Sequence, residues 1–136
     1  MVKPSLAEGL SKTTRIVVDK PRTIGFMGEA CRVYATPELV RDIENTARDL
    51  LLEHLDSGED SVGTRVAVDH LAATPEGMWV DVTVKVRELK GRAVTLEVEC
   101  RDALEKVAAG EHKRFVVDLE TVAAKLKAKI AKSGHA

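Results

Sequence analysis

Aromatic residues are scarce. Two phenylalanines, one tyrosine and one tryptophan make up 3% of the 136 residues, which argues against a base-stacking platform for nucleic acid. An excess of one charge is missing too. The 21 Lys and Arg against 22 Asp and Glu leave a formal net charge of −1, so no general electrostatic pull towards nucleic acid is implied. Cysteine occurs only as Cys31 and Cys100, far apart and at no metal-ligand or redox spacing. No apolar run approaches the roughly 20 residues that a bilayer span needs. The N-terminal MVKPSLAEGLSK lacks the apolar core of a signal peptide. Neither a phosphate-type glycine loop nor a GxSxG elbow occurs. These absences leave a reduced, cytoplasmic protein as the expectation, with no metal, membrane or nucleic-acid partner. A length of 136 residues fits one domain.

What is present is period-two alternation around one strong helical pattern. The stretch 62–77, VGTRVAVDHLAATPEG, runs as a strand from a glycine. Alternation puts Thr64, Val66, Val68 and His70 on one face and Arg65, Ala67, Asp69 and Leu71 on the other. Upstream, 13–19 reads as a strand ended by Lys20-Pro21. Residues 22–35 read as a covering loop with a short strand near its end. Thr36 reads as a helix N-cap and Pro37 as the first helical residue. From there to Leu55 the pattern is helical, with Leu39, Val40, Ile43, Ala47, Leu50, Leu51 and Leu55 on one arc. Glu44 falls inside that arc, whereas Arg41, Asp42, Arg48, Asp49 and Glu53 fall outside it. Residues 78–89, 92–101 and 104–118 alternate as three further strands. Gly110 within the last of them marks a bulge or a close backbone approach. Asp118 caps a final helix over 119–132. Residues 1–12 and 133–136 read as loosely held ends. A long apolar helix followed by hairpin-linked strands is an α+β layout. An antiparallel sheet wrapped around a central helix is that of the hotdog fold. Its exposed edge strand makes a homodimer, or a tetramer, the natural assembly.

Three polar residues share the expected buried layer. His70 sits on a valine face, as either a satisfied core histidine or part of a site. Glu44 would meet it if the helix packs on that face, because a buried carboxylate needs a partner. Thr36 opens the same helix, where capping alone accounts for it. A hydroxyl, a carboxylate and an imidazole within reach are the parts of a hydrolytic site. His112 and Arg114 share one face of the last strand, as a cross-strand charge pair or as a contact for substrate.

The runs ATPELVRDIENTARDLL, GTRVAVDHLAATPEG and AAGEHKRFVVDLE together resemble the fluoroacetyl-CoA thioesterase family of hotdog proteins. The similarity runs from about GLSKTTRIVV to the final helix. It implies acyl-CoA hydrolysis with neither a metal nor a bound prosthetic group. It also implies catalytic roles for Thr36, Glu44 and His70 and substrate-holding roles for Gly63 and Arg114. Glu44 would attack the thioester carbonyl or activate water. Two departures leave the acyl group open. The covering stretch RTIGFMGEACRVYA is shorter, with Phe26 its only phenylalanine, and the helix opens with Thr36-Pro37-Glu38. The alternative on the same fold is a module that binds acyl-CoA without cleaving it.

Overall fold

The computed structural model describes residues 3–134; residues 1–2 and 135–136, parts of the two expected loose ends, lie outside the described residues. The elements run β1 (Ser11–Val17), β2 (Thr23–Ile24), β3 (Val33–Tyr34), α1 (Thr36–Leu52), β4 (Glu59–His70), β5 (Trp79–Lys90), β6 (Ala93–Asp102), β7 (Lys106–Asp118) and α2 (Leu119–Ser133). Rather than a loose lead-in, residues 3–10 are tied down. Leu6 is buried, the Lys3 N–H donates to the His54 carbonyl, and the Gly9 N–H donates to the Val86 carbonyl.

Five strands form one antiparallel sheet in the order β1-β5-β6-β7-β4. The valine alternation explains the inner face: Val80, Val82, Val84 and Val86 on β5 and Val94, Leu96 and Val98 on β6 are all buried. Helix α1 touches both edge strands as well as β5, so the sheet wraps it as expected. Leu39, Ile43, Ala47, Leu50 and Leu51 fill the space between. Burying each of the larger side chains contributes about 1.5–3 kcal/mol. The buried arc of α1 is rotated relative to the sequence pattern. It takes in Asp42 and Thr46 and leaves Glu44 at its border, where that side chain is 42% exposed.

Two of the sheet's three bulges correct the strand faces that carry the polar residues; the third leaves Arg87 as an extra residue on β5. Thr64 is an extra residue on β4, because Gly63 pairs with Arg114 and Arg65 with Lys113. Simple alternation puts Gly63 opposite to His70; the bulge brings both to the inner face. Val107 is an extra residue on β7, since Cys100 pairs with Ala108 and Arg101 with Lys106. Val107 and Ala108 are therefore both buried, and Ala108, Gly110, His112, Arg114 and Val116 all face α1. Gly110 is a close approach and carries no register shift: a Cβ there would collide with the backbone of Ala67 and Val68.

Candidate active site

The chain is gripped just beyond His70, the last residue of β4. At the Val107 bulge, the carbonyl of that residue accepts from the N–H of Leu71 at 2.7 Å and of Ala72 at 3.2 Å. The imidazole Nδ1 shares a 2.8 Å hydrogen bond with the Thr36 hydroxyl. The expected capping role of Thr36 is corrected here. Ala35 occupies the cap position and Thr36 is the first helical residue, which frees its hydroxyl for His70. Nε2 of His70 is buried with no hydrogen-bond partner. Burial lowers the pKa of this histidine, offset in part by the Ala72 backbone, so the ring is neutral at neutral pH. The Tyr34 ring stands edge-on to it, centroid to centroid 6.4 Å at 82°. Thr36, His70 and Tyr34 line a cavity of about 270 Å³ with Ile24, Val33 and Ala72.

A second cluster lies further along the same helix and strand. Glu44 Oε2 is 3.6 Å from Arg114 Nη1. It also lies so close to Gly63 that an added Cβ would sit 2.5 Å from it and 3.3 Å from His112 Cε1. Arg114 is only 4% exposed, and its donors are committed. Nε donates to Ser61 Oγ at 2.8 Å and Nη2 to the Ser61 carbonyl at 2.7 Å. His112 Nδ1 donates to the Arg65 carbonyl at 2.8 Å, inside the Thr64 bulge. That fixes the tautomer: Nε2 is bare and accepts from Arg114 Nη1 at 3.2 Å. Burial lowers the His112 pKa, with the neighbouring guanidinium acting in the same direction and the Arg65 carbonyl and Glu44 opposing it. His112 is thus a neutral link between the bulge and Arg114. Glu44 and Arg114 open into a depression of about 270 Å³, rimmed by Arg41, Asn45 and Arg48.

Within one chain these clusters stay apart. Eight helical residues separate Thr36 from Glu44, about 12 Å at the helical rise. Gly63 and His70 stand roughly 20 Å apart along β4 at the rise of a strand. The expected Glu44–His70 partnership within the chain is therefore corrected: Glu44 pairs with Arg114, and His70 pairs with Thr36. Among the described residues no group of three or more His, Cys, Asp or Glu side chains is placed to hold a metal ion. Cys100 is buried and its thiol is pushed up to about 12 by that burial; Cys31 is exposed, and both are free. Sequence reasoning missed Ser61, Tyr34 and Asp42. Ser61 lay just ahead of the strand expected from residue 62, and Asp42 lay outside the expected apolar arc. Nothing in the pattern of the covering stretch distinguished Tyr34.

Comparison with known proteins bears on what these clusters do. A family model for the fluoroacetyl-CoA-specific thioesterase FlK matches residues 18–120. The fluoroacetyl-CoA thioesterase of Streptantibioticus cattleyicolor is 36% identical over 97 residues, 71% of this chain and 70% of that protein. A solved structure of the fluoroacetyl-CoA thioesterase FlK superposes with a TM-score of 0.83 at 31% identity, covering 92% of this chain and 98% of that one. A thioesterase superfamily member from Thermus thermophilus gives 0.87 at 26% identity, covering 98% and 99%. A hot-dog-like protein from Thermanaerovibrio acidaminovorans gives 0.83 at 25%, covering 93% of each chain. The fold is the hotdog fold, and the chain belongs to the fluoroacetyl-CoA-specific thioesterase family.

Proposed function

We propose that this protein hydrolyses acyl-CoA thioesters to a carboxylic acid and free CoA, as a homodimer whose sites are completed across β4. The observation that carries the reading is the state of His70: Nδ1 is held by Thr36, and Nε2 is buried without a partner. A neutral imidazole with Nδ1 anchored and Nε2 free is prepared to donate a hydrogen bond to a reacting atom. Its carboxylate comes from a second subunit. Strand β4 is an edge of the sheet, and Val62 and Val66 on it are exposed. Antiparallel pairing of two β4 edges about an axis midway between Gly63 and His70 sets His70 of one protomer beside Gly63 and Glu44 of the partner subunit.

In the reaction, water gives a proton to Glu44 and its oxygen joins the acyl carbon. Collapse of the adduct breaks the C–S bond. The Nε2–H of the neutral His70 hydrogen-bonds to the departing sulfur and stabilises it, and the proton taken by Glu44 passes to that sulfur to give free CoA. Thr36 keeps the ring in the tautomer that donates from Nε2. Gly63 has no side chain, so Glu44 and the thioester approach the strand closely. Arg114 acts on Glu44: with most of its donors committed within the fold, it holds the carboxylate in place and has little reach for a CoA phosphate. No step calls for a metal or prosthetic group. A cytoplasmic setting suits the two free cysteines, and among the described residues no helix is long and apolar enough to cross a membrane.

The test follows free CoA with a thiol reagent across short, branched, aromatic, fluorinated and long acyl-CoAs. Release from at least one is expected, with Glu44→Gln and His70→Ala each slower by about 10²–10⁴-fold. Saturable binding without release from any substrate would make the protein a binding module instead. Undiminished rates in both variants would remove the site assignment.

A further inference from the structure

We propose that Tyr34 sets the length of acyl group the site accepts, and that Asp42 and Arg22 are positioning residues that hold its ring in place. The inference rests on the reading that His70 works at the thioester carbonyl. Tyr34 is 1% exposed and ends the covering stretch two residues before Thr36. It lines the same cavity as Thr36 and His70, with its ring edge-on to the imidazole. An acyl chain leaving the carbonyl into that cavity meets this ring.

The ring has little freedom to yield. Its backbone N–H donates to the Thr74 carbonyl at 2.9 Å, and its hydroxyl donates to Asp42 Oδ2. Asp42, 4% exposed, also takes a forked pair from Arg22, with Nε at 2.9 Å and Nη2 at 3.2 Å. Arg22 is tied in turn to Asp19 at 2.9 Å through Nη1, and its carbonyl accepts the Ala35 N–H at 2.9 Å. A rotation of the Tyr34 side chain into the protein breaks the bond to Asp42 and leaves a buried polar atom unpaired, which is costly. A buried ion pair is seldom worth more to stability than a well-packed apolar group of the same size. What the charged pair does supply is direction, because the fork of Arg22 leaves one orientation of the carboxylate and hence one position of the phenol.

The experiment measures kcat/KM for straight-chain acyl-CoAs of about two to eight carbons, and for each variant takes the ratio of the longest to the shortest. Because removing a steric limit of a few methylenes changes discrimination by about tenfold or more, Tyr34→Ala and Tyr34→Leu are expected to raise the ratio by that much. The ratio cancels the folded fraction, so a poorly folding variant still reports, and two variants of different size guard against losing one. Tyr34→Phe keeps the wall but loses the bond to Asp42, so it is expected to raise the ratio only in part, like Asp42→Leu and well short of Tyr34→Ala. Asp42→Leu releases the hydroxyl and raises the ratio in part, and Asp42→Asn, which retains an acceptor oxygen, restores it. A uniform change at every chain length in Tyr34→Ala and Tyr34→Leu overturns the proposal, as it would put the ring beside the CoA arm or give it a structural role alone. A Tyr34→Phe shift as large as that of Tyr34→Ala also overturns it. If the wild type cleaves no acyl-CoA, it is the proposed function that fails.

Discussion

Gly63 and His112 show how little tolerance there is around Glu44. A methyl group at Gly63 would press on Glu44 Oε2, 2.5 Å away, at the far end of a flexible side chain. Gly63→Ala is therefore expected to leave folding almost untouched while displacing the carboxylate by about 1 Å, a shift that can cost around 10²-fold in rate. A thermal melt beside a kcat measurement separates the two; a fall in stability with unchanged kcat would contradict the placement of Glu44. His112 predicts a pH effect of definite sign. Its pKa and that of His70 are both lowered by burial, whereas the unfolded chain takes up these protons at about 6.5. Between the two values the unfolded state binds more protons, so stability is full above about 6.5 and falls as the pH drops through the folded pKa values. Arg114 and Glu44 are the charged groups that face His112, and protonation of its bare Nε2 would set it against Arg114. Urea midpoints at neutral and mildly acidic pH should show a smaller drop for His112→Asn, which keeps a donor for the Arg65 carbonyl but does not titrate.

At the level of elements, the same glycine argument gives the opposite result on β7. A Cβ at Gly110 meets backbone, Ala67 and Val68 of β4, which has no rotamer to give. Gly110→Ala should destabilise by about 1–3 kcal/mol as overpacking does, visible as a lower urea midpoint with an unchanged slope; a neutral effect would mean that β4 and β7 separate easily. Periodicity was enough to read β6, β5 as far as Val86 and most of the core face of α1 from the residues alone, because each buries one regular face; beyond Val86 an extra residue, Arg87, shifts β5 and turns Leu89 towards the core. It failed where the count changes by one. The extra residues Thr64 and Val107 leave no mark in composition, yet one brings Gly63 to the side of His70 and the other aims a carbonyl at Leu71 and Ala72. Asp42 failed for a different reason. A charged residue at the border of an apolar arc belongs outside unless a partner waits for it, and the partners, Arg22 and Tyr34, come from a loop whose path no periodicity describes.

At the scale of the molecule, the division of the site dictates the strongest test of assembly. One chain keeps Thr36 and His70 at one end of β4 and Glu44, Gly63 and Arg114 at the other, too far apart to act on one carbonyl. If each site takes His70 from one protomer and Glu44 from its partner, two dead variants can complement each other. Glu44→Gln supplies an intact His70, and His70→Ala supplies an intact Glu44. A dimer containing one of each has one complete site and one that lacks both groups. Unfolding and refolding the two variants together at equal amounts should recover about a quarter of the wild-type rate, since half of randomly paired two-fold dimers are mixed and each has one working site. Each variant refolded alone should stay inactive, and the recovered rate should vanish when either strand edge is blocked, for instance by Val66→Pro, which removes a donor from β4 and distorts it. Recovery at the background level of the single variants, in preparations that sedimentation shows to contain mixed dimers, would mean that each chain assembles its own site, and α1 would then have to move by about two turns relative to β4 to bring Glu44 to His70.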